Sequence, residues 1–235
     1  MQQSTCFQLL EPSISAERLA PYRLYPADTE IDVYARYFWN VALSEAFYPT
    51  LKYLEVALRN NINAAATNAF NNPMWFDTIL PNGTHLLTPN ECKRVYEAKN
   101  ELTKDGKAHD PGRIVASLSF GFWTSLFRSP YEQVLWPRLT KVVLPYAPRK
   151  IRYRNALARH FDYIRKLRNR VFHHEPIWNR PYLLKEHDTV LDTVGWLNPT
   201  MEAIIPVYDR FPEVYLRGIA PYHVKLTEFY SNLPQ

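Results

Sequence analysis

The chain has 235 residues, 46% hydrophobic and 22% charged, with 28 Lys and Arg against 23 Asp and Glu for a formal net charge of +5. That balance can bury a core and excludes a disordered chain. The six glycines form neither G-x-G-x-x-G nor G-x-x-x-x-G-K-[ST], which excludes a nucleotide site built on a glycine-rich loop. Two cysteines, Cys6 and Cys92, are too few for a zinc cage or a disulfide framework, so no metal or cofactor is expected and a reducing compartment fits. The N-terminus MQQSTCFQLLEPS lacks a basic stretch followed by an apolar run, and cytoplasmic residence is the expectation.

Apolar residues recur at helical spacing along most of the chain. After Pro26, Asp28 is placed to cap a helix carrying Ile31, Tyr34, Ala35, Phe38 and Ala42. A second helix is predicted to run to about Phe70 along Leu51, Leu54, Leu58, Ile62 and Ala65. Thr88, Pro89 and Glu91 spell a capping box for a helix that ends near Gly106. Asp110 and Pro111 open the next, which contains GRIVASLSFGFWTSLF and is apolar nearly all round. Its uncharged stretch, Ile114 to Phe127, is 14 residues long, short of the roughly 20 that cross a bilayer, so a core helix and no membrane are expected.

Ser129, Pro130 and Glu132 repeat the capping box before YEQVLW, which Pro137 closes. A long helix follows from Pro148 to about His174, with Ile151, Leu157, Phe161, Ile164, Leu167 and Val171 facing inward and Pro176 preventing extension. LLKEHDTVLDTVGWL and, after Asn198 and Pro199, TMEAIIPVYDRF add helices, the latter shortened by Pro206. The expectation is an all-α fold. One helical domain spans 28–200, with an irregular N-terminal extension over 1–27 and a helical C-terminal extension over 201–235 packed on the same domain.

Nine basic residues lie between Arg149 and Arg170, opposed there only by Asp162; the remainder of the chain holds 19 basic against 22 acidic residues. The positive excess therefore belongs to one helix, which suits a polyanion, although a solvated helix face has the same composition. At the end of that helix stands RKLRNRVFHHEPIWNR, residues 165–180. Asn169 and His173, four apart, share a helical face that the guanidinium of Arg168 can reach. An imidazole to move a proton and a cation to hold phosphate oxygens are the groups that phosphodiester cleavage needs. In RNA the nucleophile is the ribose 2′-OH, so His173 can act as base and Arg168 as phosphate clamp without a metal, with Asn169 orienting either. His174 is the second candidate acid or base, and Arg165, Lys166 and Arg170 are candidate RNA contacts. The same histidines also suit a helix C-terminus by meeting the negative end of its dipole. His173, His174 and Glu175 make a poor metal set, because neighbours on a helix diverge.

Three stretches, LKYLEVALRNNI (51–62), GRIVASLSFGFWTSLF (112–127) and LRNRVFHHEPIWNR (167–180), resemble the Abi-like family of bacterial abortive-infection proteins in the HEPN superfamily. The resemblance covers roughly residues 28–200. It implies a HEPN-like helical bundle and a metal-independent endoribonuclease centred on the motif that matches Arg168, Asn169 and His173. It also implies a homodimer, because such sites form between motif helices of two copies and this chain has one complete motif. A role in phage defence or toxin–antitoxin control, with an antitoxin or phage-derived regulator, belongs to the same expectation. His174 satisfies the superfamily's looser spacing as well. Glu55 and Arg59 are expected to form an intrahelical pair, with support of the motif as the alternative. Phe120, Phe122 and Trp123 are expected in the core. The rival reading is a non-catalytic HEPN-type module that binds RNA or protein; a metal-dependent hydrolase is the third.

Overall fold

The computed structural model describes residues 3–232, and their side chains except those of 3–6 and 138. Met1, Gln2, the Cys6 thiol and residues 233–235, on which the readings of the two ends partly fall, lie outside the described residues. Among the described residues the chain forms twelve α-helices and five 3-10 turns, with one isolated bridge between Ile79 and His85 in place of any strand. The fold is all-α. No helix among them is long and apolar enough to cross a membrane.

The helices are α1 (Gln3–Ile14), α2 (Ala16–Leu19), α3 (Glu30–Phe70), α4 (Pro89–Lys104), α5 (Pro111–Ser117), α6 (Phe120–Ser125), α7 (Trp136–Val143), α8 (Arg154–Phe172), α9 (Leu183–Leu197), α10 (Pro199–Ile204), α11 (Phe211–Arg217) and α12 (Ala220–Ser231). Residues 1–27, expected to be irregular, thus carry two helices in their described part. The chain divides into two compact units: unit 1 comprises 1–50, 169–188 and 206–235, and unit 2 comprises 51–168 and 189–205. The division does not follow the 27/28 and 200/201 boundaries, and three of its crossings fall inside α3, α8 and α9.

Where proline follows a capping residue, the expected helix forms. Pro89, Pro111 and Pro199 each open one behind Thr88, Asp110 and Asn198, and the last two caps accept from Arg113 N at 3.0 Å and Met201 N at 3.1 Å. The Thr88 hydroxyl bonds the Glu91 carboxylate, which also accepts from Tyr131 Oη at 3.0 Å. Burial works to raise the Glu91 pKa, yet these hydrogen bonds hold it below the ordinary value.

Four expectations need correction. Residues 30–70 form one helix of 41 residues rather than two, because the buried stripe Leu43, Phe47, Leu51, Leu54, Leu58 keeps helical phase past Pro49. Asp28 does not cap it: its carboxylate accepts from Leu24 N, Tyr25 N and Arg36, while Thr29 and Asp32 form the reciprocal box. The Arg36 guanidinium holds the Asp28 carboxyl well below the usual carboxylate range.

The apolar run 112–127 is two helices, not one. Ser119 is extended and its carbonyl starts α6, while the Leu118 carbonyl left free is taken by Trp123 Nε1 at 3.2 Å. YEQVLW is not a helix of its own: Tyr131 ends a 3-10 turn, 132–135 are turns and Trp136 starts α7, with Pro137 in its first turn instead of closing a helix, since a first-turn proline forfeits no internal hydrogen bond.

Unit 1 is built on an aromatic cluster in which Phe7 meets Tyr34 and Tyr230 at centroid distances of 4.6 and 4.4 Å. In unit 2, Phe127 lies between Trp136 at 4.3 Å and Phe161 at 4.4 Å, and Phe120, Phe122 and Trp123 are buried as expected. The α8 stripe Leu157, Phe161, Ile164, Leu167, Val171 is buried, whereas Ile151 lies in a separate 3-10 turn and is half-buried.

His160 sits beside this core in unit 2. Its Nε2 is 2.7 Å from Thr193 Oγ1, whose own proton goes to the Thr189 carbonyl at 2.6 Å, so the histidine must donate. Burial pushes the His160 ring down to about 4. A depressed histidine favours the fold fully above the unfolded value near 6.5 and loses that contribution as pH falls toward 4. Urea unfolding from pH 7 to 4 should therefore show a loss of about 3 kcal/mol from this residue, and His160→Gln should flatten the profile over that window.

Candidate nucleic-acid cleavage site

The candidate motif lies at the end of α8. Arg168 is the last α8 residue of unit 2; Asn169, His173 and His174 belong to unit 1. Within unit 2, Arg168 Nη2 lies 3.3 Å from Glu55 Oε2, and each side chain is about a quarter exposed. The Glu55–Arg59 pair is absent: Glu55 engages Arg168, and Arg59 Nε donates to Asn60 Oδ1 at 3.3 Å. Glu55 thus orients the guanidinium and offsets its charge. A double-mutant cycle with Glu55→Gln and Arg168→Gln should return a coupling of about 1 kcal/mol in urea unfolding; zero coupling would mean the pair does not hold Arg168 in solution.

In unit 1 the helix ends in a Schellman motif. His173 N bonds the Asn169 carbonyl at 2.8 Å, His174 N the Val171 carbonyl at 3.3 Å, and Glu175 N the Arg170 carbonyl at 2.9 Å. His174 takes the left-handed position of that motif, with φ 57°, where glycine is usual. The two histidines are therefore not successive positions on one helical face. His173 is the cap residue, exposed, with no side-chain hydrogen bond among the described residues. His174 is exposed too, and its carbonyl accepts from Arg18 Nη1 at 3.0 Å.

The chain after the motif is tied down by Asn40, whose Oδ1 accepts from Ile177 N at 2.7 Å and Trp178 N at 3.1 Å. Beside it a cavity of about 680 Å³ is lined by Arg18, Tyr37, Val41, Tyr48, Phe172 and His174, among others. Its walls are largely apolar, with the Arg18 guanidinium and the His174 imidazole among the lining groups.

Much of the basic stripe is already paired. Arg154 meets Glu132 at 3.1 Å, Arg165 and Lys166 share Asp162 at 2.7 and 2.9 Å, and Arg170 meets Glu175 at 3.4 Å. Of the expected RNA contacts, Lys166 and Arg170 are exposed and Arg165 is half-buried. Arg149, Lys150 and Arg159 are exposed with no side-chain partner among the described residues.

Sequence reasoning missed a buried pair in unit 1. His187, fully buried, has Nε2 3.1 Å from Asp209 Oδ2 and 3.4 Å from Thr50 Oγ1, and its ring stacks on Phe211 at 4.4 Å. Burial pushes the His187 pKa down against the upward pull of Asp209 and Asp188. One signal was present in the sequence: His187 occupies a stripe position on α9, four after Leu183 and three before Val190. Thr50 is fully buried too, so the cluster offers no nucleophile to a substrate.

Among the described residues no three His, Cys, Asp or Glu side chains gather as a metal set. Compared with protein-family models, with characterised proteins and with solved structures, the chain matches none.

Proposed function

We propose that the chain is a metal-independent endoribonuclease of the abortive-infection type in the HEPN superfamily, acting in the cytoplasm as a phage-defence or toxin–antitoxin effector. The observation that carries this reading is His173, an exposed imidazole without a side-chain partner among the described residues, four positions after Asn169 and capping the helix that carries Arg168. His173 takes the proton of a ribose 2′-OH, the 2′-oxygen attacks the adjacent phosphorus, and the P–O5′ bond breaks to leave a 2′,3′-cyclic phosphate. The departing 5′-oxygen takes a proton from a second imidazole, which the one-motif chain gains in a homodimer. Arg168, held by Glu55, stabilises the phosphate oxygens, and an antitoxin or phage-derived regulator restrains the activity.

One observation favours the rival reading of a non-catalytic RNA- or protein-binding module: the Glu55 carboxylate already balances Arg168. Incubation with end-labelled RNA in EDTA separates the two. Cleavage products ending in 2′,3′-cyclic phosphate, with DNA of the same sequence intact, support the nuclease; RNA binding without cleavage under any condition tested supports the module, and activity that needs a divalent ion supports a metal-dependent hydrolase.

A further inference from the structure

A second basic site lies within unit 2, where residues 158–165 of α8 precede the motif. The side chains of Arg128, Arg159 and Arg165, with Thr124, Ala158 and Asp162, line a cavity of about 350 Å³. Arg128 follows α6 in the chain and the other two arginines stand on α8, so 113–128 and the basic helix contribute jointly. Arg128 and Arg159 are exposed and have no side-chain partner among the described residues. The cavity's single carboxylate, Asp162, already binds Arg165 at 2.7 Å and Lys166 at 2.9 Å. With Asp162 taken, the guanidiniums of Arg128 and Arg159 share this concave surface without a counter-charge of their own among the described residues, which favours an added anion.

The lining also says which anion. Guanidinium forks match the paired oxygens of a phosphate, and two of the three have unused donors. Neither aromatic nor large apolar residues line the cavity, so it has nothing on which to stack a base. A phosphate whose nucleoside stays outside fits that chemistry. On α8, Arg165 precedes Arg168 by three residues, about 4.5 Å of rise along the axis, which is within a nucleotide or so of the phosphate clamp.

We infer that Arg128, Arg159 and Arg165 form a subsite for one backbone phosphate of a single-stranded RNA, sequence-independent and upstream of the cleavage motif on the basic helix. The inference rests on the RNA reading of that motif and adds Arg128 and Arg159, which the sequence motif does not include. The subsite holds the strand by its backbone and leaves base choice to other surfaces.

The test is fluorescence anisotropy of a labelled single-stranded RNA over a range of salt concentrations, using the full chain with His173→Ala to prevent cleavage. In that background Arg128→Gln and Arg159→Gln are compared with Lys225→Gln, an exposed and unpaired charge on α12. Each arginine variant should weaken binding several-fold at low salt, and the double variant should reduce the slope of log K against log salt by about 0.7, one phosphate on a single strand. Lys225→Gln should do neither. Arg128 and Arg159 have no intramolecular partner to lose, so the variants should melt at or above the parent temperature. If RNA binds but the arginine variants behave as Lys225→Gln does, the subsite is overturned and the RNA reading stands. If RNA does not bind, yet inorganic phosphate raises the Tm in an Arg128- and Arg159-dependent way, the cavity takes a free phosphate and the strand assignment is overturned. If neither ligand acts, the site itself is refuted.

Discussion

Replacing His173 with alanine is expected to slow RNA cleavage in EDTA by about 10²–10⁴-fold, the usual worth of a positioned acid or base. The change should leave the fold intact, because the ring is exposed and makes no side-chain hydrogen bond among the described residues. The Schellman bonds that end the helix come from backbone atoms and survive the truncation. His174→Ala should cost less: that ring leaves the chain from a left-handed residue whose orientation serves the turn. Gel-resolved cleavage rates for both variants, with circular dichroism melts as the folding control, decide the matter. Equal loss in both would make the two histidines a joint acid–base pair, and wild-type rates in His173→Ala would remove His173 from the chemistry.

The largest expected effect on stability comes from Phe161→Ala. Phe161 is fully buried and stacks on Phe127, which in turn stacks on Trp136, so truncation opens a hole that the two remaining rings cannot close without shifting. The expected cost is about 3–5 kcal/mol, whereas Phe161→Leu, which fills most of the volume, should cost about 1 kcal/mol. Calorimetry reads the difference as a fall in Tm of roughly 10 °C for alanine and a small shift for leucine. A shift of a degree or two for alanine would mean the stack does not anchor unit 2.

What could be read from the sequence was local. Thr88–Pro89, Asp110–Pro111 and Asn198–Pro199 announce helix starts because cap and proline act within four residues of each other. The inward stripe of α8 was legible for the same reason, and with it the exposed end where His173 stands. Pro137 misled because proline at the first turn and proline just beyond the last have the same local appearance, and only the buried side chains around Trp136 decide between them. Ser119 was hidden by its apolar neighbours, although Trp123 reaching back to the Leu118 carbonyl makes the break inexpensive. The Glu55–Arg168 contact spans 113 residues and the His187–Asp209 pair joins α9 to the approach of α11. No periodicity encodes such meetings, since they depend on how helices are brought together.

The order in which the pieces of unit 1 occur along the chain has a consequence for synthesis. Unit 2 has all its residues once position 205 has been translated, but unit 1 must wait for the segment from 206 onward. On a ribosome Asp209 and Tyr230 emerge after His187 and Phe7, the unit 1 partners they join. Unit 2 can therefore close while the segment from 206 onward is still being made, and unit 1 is the later of the two to be completed.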